Sequence, residues 1–480
     1  MMVDELAGKR IVILGLARQG VAMARYAYQA GAHVIASDIR SAGELEENLE
    51  SVSDLSIELV LEEHPLSLLE GVDVLVISGG VPVDLPIVKE AQRRGILVTN
   101  DSLEFIKRAP CRVIGITGSA GKTTTTALTG AMVEASGQKT WIGGNIGRPL
   151  LTELPNMSST DIVVQELSSF QLEMWTQSPP VSAVLNITPN HLDRHSDMDE
   201  YLRAKANILR FQSEMDIAVL SADDPGARNI NSEVVGRLRT FSLENQVTDG
   251  AFVDGESLLI RDELSETVVC GIDQIPLRGR HNISNVLAAI TLADSVGVPP
   301  SSIKDAIVNF EGVPHRLELV STINNVQYIN DSIATAPERA LAALDSFSEP
   351  VILLAGGRDK DMVWDEWARR VRIQTRAVVL FGELAPILER KLMVAGADSD
   401  TKHFQSIRTQ SMEEAVTVAS QIAEPGDVVL LAPGGTSFDS FVDFEARGVA
   451  FRQLVHRLTQ QTKTNFSPKA SIDNHLSLSN

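Results

Sequence analysis

The stretch Ile116-Thr117-Gly118-Ser119-Ala120-Gly121-Lys122-Thr123-Thr124 joins an apolar strand to a helix through a glycine-rich loop. Val113-Ile114 precedes it and a helical pattern over 123–134 follows, the setting a phosphate-binding loop requires. Glycines let backbone N–H groups close around phosphate, and the helix N-terminus adds positive potential there. In this register Lys122 would reach the β- and γ-phosphates, and the Thr123 hydroxyl would hold Mg²⁺. The spacing is short. Five positions before Gly121, where the general motif has glycine, stands Ile116, leaving the form Gly-x-x-Gly-Lys-Thr. The loop predicts a nucleoside triphosphate site.

Around it, 480 residues are enough for about two to four domains, each with its own core. A composition of 44% hydrophobic and 22% charged residues is ordinary for a globular protein. The net charge of −21 argues against nucleic acid or an anionic membrane as partner, since their phosphates would be repelled. An anionic ligand must therefore meet local basic groups, and Lys122, Arg316 and Lys360 are candidates. Cys111 and Cys270 lack metal-ligand spacing and read as buried thiols in a reducing compartment. Residues 1–10 lack a signal-peptide pattern, and no apolar run approaches membrane-spanning length, so a cytoplasmic location is expected.

Three α/β blocks follow one another. In the first, strands are expected at 10–14, 33–36 and 72–77 and helices at 20–31 and 88–94, which implies a parallel sheet flanked by helices. A break falls near 107–110. The second block runs to about 312, with strands at 161–165 and 181–186 and an amphipathic helix over 201–211. The third restarts after Arg316, with strands at 326–329, 351–355, 377–381 and 428–431, a second Rossmann-like sheet. The resulting division is 1–108, 109–312 and 313–462, with a disordered tail expected over 463–480.

Several constellations carry chemistry. Gly15-Leu16-Ala17-Arg18-Gln19-Gly20 follows a strand, and Asp38 lies at the end of the next. This suggests a dinucleotide fingerprint, but Ala17 takes the middle glycine position, so a generic nucleotide or UDP site, or a bare turn, fits as well. Ser78-Gly79-Gly80 ends a strand where open parallel sheets bind ligands, or is only a turn. Glu166 closes an apolar strand beside the phosphate loop, as a Mg²⁺ ligand or a helix N-terminal carboxylate. The loop 186–195 holds His191, Asp193 and His195; His191 is a candidate metal ligand. Lys205 shares its helical face with Tyr201, Leu202, Ile208 and Leu209. A lysine there is costly unless it is paired, chemically altered or snorkels to water, and snorkelling explains it without any function. In the third block Gly356-Gly357-Arg358-Asp359-Lys360 and Pro433-Gly434-Gly435-Thr436-Ser437 both end strands of one sheet and read as a binding rim.

Taken together the segments resemble the Mur ligases. The resemblance rests on TGSAGKTTT (117–125), GGNIG (143–147), ELSSFQLE (166–173), NITPNHLDRH (186–195) and YLRAK (201–205). LRGRHNISN (277–285), HRLE (315–318), NDSIAT (330–335), AGGRDK (355–360) and SFDSFVDFEARG (437–448) complete it, ten segments in the family's order. It implies an α/β chain of three domains: an N-terminal Rossmann-like UDP-binding domain, a central P-loop ATPase domain and a C-terminal Rossmann-like amino-acid domain.

The implied activity is ATP-dependent amide-bond formation. A carboxylate of UDP-N-acetylmuramoyl-L-alanine attacks the γ-phosphate to give an acyl phosphate, which the amine of D-glutamate then attacks, in cytoplasmic peptidoglycan precursor synthesis. Implied cofactors are ATP and Mg²⁺ at two sites, and a monomer is expected. By resemblance, Gly15, Leu16, Ala17, Arg18, Asp38, Ile39, Ser78 and Gly79 bind the UDP substrate, and Asn145 and Ser168 orient its muramoyl-alanyl part. Gly118, Ser119, Ala120, Gly121, Lys122, Thr123 and Thr124 cradle ATP, with Asn282 and Asp331 on adenine and ribose and Arg316 on phosphate. Thr123, Glu166, His191 and a carbamylated Lys205 take the metals; Lys122, His191 and Lys205 are the catalytic set; Lys360, Ser437 and Phe444 form the glutamate pocket.

Four positions depart from the family pattern: Ala120 for Asn, Asn190 for Asp, Ile333 where a lysine is usual, and Ala336 for Asn. Alternative readings are an L-glutamate-adding or folylpolyglutamate-type ligase, an NAD-dependent oxidoreductase and a non-catalytic nucleotide-binding protein. The complete N-terminal block counts against the folate type, and the phosphate loop leaves the oxidoreductase unexplained.

Overall fold

The computed structural model describes residues 4–145, 147–189, 197–396 and 404–465. It comprises two compact units, Met1–Phe310 and Glu311–Asn480. The first holds two sheets. One is five-stranded and wholly parallel, in the order Glu58–Leu61, His33–Asp38, Arg10–Leu14, Val74–Ile77, Leu97–Thr99. Its central strand is buried from Ile11 to Leu14, as expected of a strand covered on both faces. Each such Val, Ile or Leu contributes about 1.5–3 kcal/mol on burial. Helix Arg18–Gln29 lays the small residues Gly20, Ala22, Ala24 and Ala27 inward. A Cβ on Gly20 would sit 1.8 Å from the Gly15 carbonyl oxygen, so only glycine lets the helix start this close to the strand end.

The second sheet of this unit has nine strands. In space they run Glu266–Gly271, Ser257–Arg261, Gly250–Asp254, Arg237–Ser242, Ile217–Ser221, Val181–Val184, Arg112–Thr117, Ile162–Glu166, Thr140–Gly144. Strand Arg112–Thr117 is flanked by Ile162–Glu166 and Val181–Val184 in parallel register, pairing Ile116 with Glu166 and Thr117 with Val184. The phosphate loop therefore leaves the carboxyl edge between two neighbours whose own ends reach it. Two antiparallel pairings, Gly250–Asp254 with Ser257–Arg261 and the latter with Glu266–Gly271, extend an otherwise parallel sheet. The sequence patterns had not marked these three strands.

Helix Met198–Arg210 matches the expected amphipathic helix, displaced by a few residues. Asp197 caps it by accepting the Glu200 N–H at 2.8 Å, acidic residues fill its first turn, and Arg210 closes its last. Its inward face carries Tyr201, Lys205, Ile208 and Leu209. Lys205 is only 1% exposed, which overturns the snorkelling explanation.

The second unit is a six-stranded sheet in the order Glu318–Ile323, Val326–Asn330, Val428–Gly434, Val351–Gly356, Ala377–Phe381, Gln405–Arg408. Its first pairing is antiparallel and the rest are parallel. Strands Val351–Gly356 and Val428–Gly434 are buried end to end and deliver both glycine loops to the same edge. The final helix, Phe444–Asn465, runs three residues into the tail expected to be disordered; 466–480 lie outside the described residues.

Candidate functional site

The phosphate loop is held open by its neighbours. The Asn186 carbonyl accepts the Ser119 N–H at 2.9 Å, and its side-chain oxygen accepts the Ala120 N–H at 2.8 Å. Gly121 has φ of 83°, and a Cβ there would stand 2.2 Å from the Asn285 side-chain oxygen. A side chain at this position would be strained and obstructed, so glycine is required. Helix Lys122–Ala135 begins there with no side-chain cap, leaving its first N–H groups for an anion.

Around this cradle the charged side chains form one network. The Thr123 hydroxyl donates to one Glu166 oxygen at 2.9 Å, and the Asn145 amide donates to the other at 2.9 Å. Glu166 is 1% exposed and sits at the end of its strand, so the position is a buried oxygen-donor pair beside the phosphate loop. Such hard donors suit Mg²⁺. Lys122 bends back to donate to the Gly118 carbonyl at 2.9 Å. The Lys205 ammonium donates to the same carbonyl at 3.0 Å and to the Thr117 hydroxyl at 3.2 Å, with the Tyr201 ring 4.8 Å beneath it. Burial, with Lys122 nearby, depresses the Lys205 pKa well below its ordinary value; Glu166 opposes this and does not restore it. The amine is thereby biased toward its neutral, nucleophilic form. The Tyr201 hydroxyl lies 2.9 Å from Ser119 Oγ, tying the same helix to the loop.

The N-terminal turn is built differently. Leu16 donates its N–H to Asp38 Oδ2 at 2.7 Å, and the Arg40 guanidinium bonds both Asp38 oxygens at 3.0 and 2.8 Å. Burial alone would raise the Asp38 pKa, but the bonds from Arg40 and Leu16 outweigh it and hold it at about 2. Ser78 donates to the Gly15 carbonyl at 2.8 Å, the Gln19 side chain accepts the Gly79 N–H at 3.2 Å, and Ile39 is exposed. Gly15, Leu16, Asp38, Ser78 and Gly79 are thus gathered at one carboxyl edge, as is usual for ligand sites in open sheets. Arg18, exposed, donates to the Gly147 carbonyl at 3.1 Å and so joins this edge to the GGNIG stretch. Ser168 caps a short helix through a reciprocal pair of bonds with Gln171.

In the second unit the two glycine loops pair with each other: Arg358 and Thr436 exchange backbone bonds of 2.8 and 3.0 Å. Arg447, fully buried, ties in a third loop by donating to the Ser332 hydroxyl (3.0 Å), the Ser332 carbonyl (2.8 Å) and the Gly435 carbonyl (3.1 Å). Burial lowers its pKa to about 10. Ser332 in turn donates to the Phe444 carbonyl at 2.8 Å. Ser437 is buried, and Lys360 is exposed with its amine 5.6 Å over the Phe438 ring. Asp331 is 5% exposed and accepts the Leu317 N–H at 3.0 Å. Burial raises its pKa to about 6 against the opposing pull of that bond, Arg316 and Arg339. Arg316 lies between His315 and Leu317, whose φ values of 64° and 45° are both left-handed, a strained arrangement typical of functional segments.

Within the first unit the candidates therefore form two groups, one at each sheet edge; Asn282 adjoins the second, since Asn285, beside Gly121, donates to its side-chain oxygen at 3.0 Å. In the second unit Asp331, Lys360, Ser437 and Phe444 fall on loops of one sheet edge or immediately beyond. His191 lies outside the described residues, as do Asn190, Asp193 and His195. Among the described residues no cluster of three or more His, Cys, Asp or Glu could hold a metal. Asn186, Tyr201 and Asn285 fall in the quoted segments but are given no contact with the phosphate loop by the sequence. The spacing of Asn282 and Asn285 at i, i+3 opening helix Arg280–Ser295 is the one signal that could have found a partner of the loop.

Comparison with known proteins bears on this architecture. The model of the Mur ligase MurD-like N-terminal domain matches residues 9–100, that of the Mur ligase middle domain 116–293, and that of the Mur ligase glutamate ligase domain 315–435. The chain belongs to the Mur ligase family. It is 38% identical over 459 residues to the UDP-N-acetylmuramoylalanine–D-glutamate ligase of Pelotomaculum thermopropionicum, covering 95% of this chain and 99% of that one. It is 39% identical over 458 residues to the enzyme of the same name from Acetivibrio thermocellus, covering 95% and 97%. Among solved structures it shares the fold of UDP-N-acetylmuramate-alanine ligase MurC from Thermotoga maritima (TM-score 0.58, 18% identity, 94% of this chain and 100% of that one). MurF from Acinetobacter baumannii is similar (TM-score 0.58, 16% identity, 94% and 93%).

Proposed function

We propose that the chain is an ATP-dependent ligase joining the alanyl carboxylate of UDP-N-acetylmuramoyl-L-alanine to the amine of D-glutamate. The observation that carries this reading is the buried Lys205 amine, 3.0 Å from the Gly118 carbonyl of a phosphate loop whose Thr123 is bonded to Glu166. The relatives that are 38% and 39% identical over nearly the whole chain, both UDP-N-acetylmuramoylalanine–D-glutamate ligases, support it. Residues 1–108 would bind the UDP moiety, 109–312 ATP, and 313–462 the incoming amino acid. The chain would act as a monomer in the cytoplasm, on precursors of peptidoglycan.

The reaction divides into two displacements. A substrate carboxylate oxygen attacks the γ-phosphorus of ATP, ADP leaves, and an acyl phosphate forms. The glutamate nitrogen then attacks the acyl carbon, inorganic phosphate departs, and the nitrogen loses its proton. Gly118, Ser119, Ala120, Gly121 and Thr124 cradle the phosphates, and Lys122 exchanges the Gly118 carbonyl for them. Asn282, joined through Asn285 to the loop, holds adenine, and in the second unit Asp331 and Arg316 are nucleotide-binding candidates by resemblance. Gly15, Leu16, Ala17, Arg18, Asp38, Ile39, Ser78 and Gly79 hold the UDP end, while Asn145 and Ser168 turn the alanyl carboxylate toward the loop. Lys360 pairs with a glutamate carboxylate beside Ser437 and Phe444.

Thr123, whose hydroxyl lies 2.9 Å from Glu166, would serve the Mg²⁺ that comes with ATP, and Glu166, His191 and a carbamylated Lys205 would hold a second. Bound there, the metal supplies positive charge against the phosphoryl oxygens. The depressed Lys205 pKa suits carbamylation: the neutral amine adds to the carbon of CO₂, a proton leaves, and a cation becomes an anionic oxygen donor.

Phosphate release with ATP, Mg²⁺ and UDP-N-acetylmuramoyl-L-alanine tests the reading, with D-glutamate in one tube and L-glutamate in another. Release only with the D-isomer is expected. No release in either tube sinks the ligase, and release with the L-isomer alone sinks the stereochemistry.

A further inference from the structure

Trp364 belongs to none of the groups described above, yet it touches both glycine loops of the second unit. It is 1% exposed, in the core beneath the sheet edge, and its ring meets Trp367 edge to face at 5.5 Å. Its indole N–H donates to Asp359 Oδ1 at 3.1 Å. That oxygen also accepts the N–H groups of Lys360 (2.9 Å) and Met362 (3.3 Å). Three donors on one carboxylate oxygen close a tight turn with Lys360 in its middle. The turn contains Asp361 at φ 56°, a left-handed conformation that strains a non-glycine residue unless the surroundings hold it. On its other side the ring lies under Gly434: a Cβ there would stand 3.0 and 3.1 Å from its Cζ3 and Cη2 atoms. Gly434 opens the loop that ends in Ser437.

We propose that Trp364 is a positioning residue of the amino-acid pocket, fixing the Lys360 turn and the Ser437 loop at a set separation and so selecting the length of the acidic amino acid. The inference rests on the reading of Lys360 as partner of a substrate carboxylate. A rigid, buried indole with one directed donor serves this purpose because neither its ring nor its N–H can shift without disturbing the core. Glutamate exceeds aspartate by one methylene, so a lysine held at one height distinguishes them; a lysine on a loosened turn reaches either.

The test compares the native chain with Trp364→Phe, Asp359→Ala and Asp359→Asn. Phenylalanine keeps most of the ring and removes the donor; alanine removes the acceptor without touching the core; asparagine keeps an acceptor oxygen for all three bonds. In the phosphate-release assay Trp364→Phe and Asp359→Ala should raise KM for D-glutamate about tenfold and narrow the preference for D-glutamate over D-aspartate, with kcat and the KM for ATP within about twofold. Asp359→Asn should behave as the native chain. Unchanged KM and preference in both loss variants, or a uniform fall in every parameter, overturns the proposal. Lysine-reactivity footprinting reads the turn without any substrate: Lys360 should label severalfold faster in Trp364→Phe and Asp359→Ala. An unchanged labelling rate refutes the latch whatever amino acid the pocket takes. Faster labelling without D-glutamate-dependent turnover in the native chain refutes the glutamate reading instead.

Discussion

Two strand–glycine–helix turns in the first unit share a backbone plan and differ in nearly every side chain around it. Strand Arg10–Leu14 leads through Gly15 into helix Arg18–Gln29; strand Arg112–Thr117 leads through Gly118 into helix Lys122–Ala135. Both strands lie inside their sheets, and both helices begin without a side-chain cap, so each turns a helix N-terminus toward a carboxyl edge. At the first turn the acidic residue, Asp38, is fully engaged by Arg40 and the Leu16 N–H. At the second, Glu166 faces a hydroxyl and an amide, and a lysine amine is buried alongside. The backbone confers anion affinity on both. The company of Glu166 and Lys205 fits only the second for chemistry.

The strongest way to break that contrast is to remove Lys205. Lys205→Ala should lower ligase turnover about 10³-fold, because the proposed metal site loses a ligand where transition-state charge gathers. Short carboxylic acids such as acetate should restore part of the rate by occupying the vacated volume with an oxygen donor. The first turn has no residue whose loss should do this. An unimpaired variant, assayed by phosphate release, would remove the carbamate from the mechanism.

Next in size is a steric test of the shared backbone plan. Gly20→Ala places a methyl 1.8 Å from the Gly15 carbonyl oxygen and 2.9 Å from Ser78 Oγ, so the helix must move off the strand. We expect a loss of about 3 kcal/mol in the urea unfolding of the N-terminal sheet. Gly80→Ala, with open space around the built Cβ and no left-handed φ, is the control and should unfold as the native chain does. Equal behaviour of the two variants would show that the turn tolerates a looser approach than its geometry implies.

The two turns were unequally legible in the sequence, for physical reasons. Arg10–Leu14 was read to the residue because four consecutive buried apolar positions leave little freedom, and the phosphate loop was read because Lys-Thr after glycine is local chemistry. The buried placement of Lys205 was half legible: its stripe was visible, but its exposure depended on how closely helix Met198–Arg210 packs under Thr117 and Gly118. Arg40 closing on Asp38, Asn186 bracing the loop and Asn285 against Gly121 are contacts between distant or unpatterned residues, and no periodicity encodes them. The antiparallel strands Ser257–Arg261 and Glu266–Gly271 escaped because the outer one exposes Glu266, Thr267 and Val268 in succession, breaking the alternation that marks a half-buried strand. In the second unit both glycine loops were legible as a rim, but not the Trp364 beneath them, which resembles any core aromatic.

The smallest effect sharpens the contrast most finely. Asp38→Asn keeps an acceptor for Leu16 and removes the charge that Arg40 answers, so it should raise KM for the UDP substrate about tenfold and leave kcat nearly unchanged. It should also leave a pH signature. The folded-state pKa of Asp38 is held at about 2, below the ordinary 3.8, because hydrogen bonds outweigh the burial that would raise it. A depressed carboxylate pKa stabilises the fold fully above the unfolded value and loses that stabilisation as pH falls through the folded one. The native chain should therefore exceed the variant by on the order of 2 kcal/mol at neutral pH, with the gap closing between about pH 4 and pH 2. Urea unfolding at a series of pH values measures it. A gap that stays constant across that window would mean that Asp38 acts through shape rather than charge, and that the first turn is a neutral cradle.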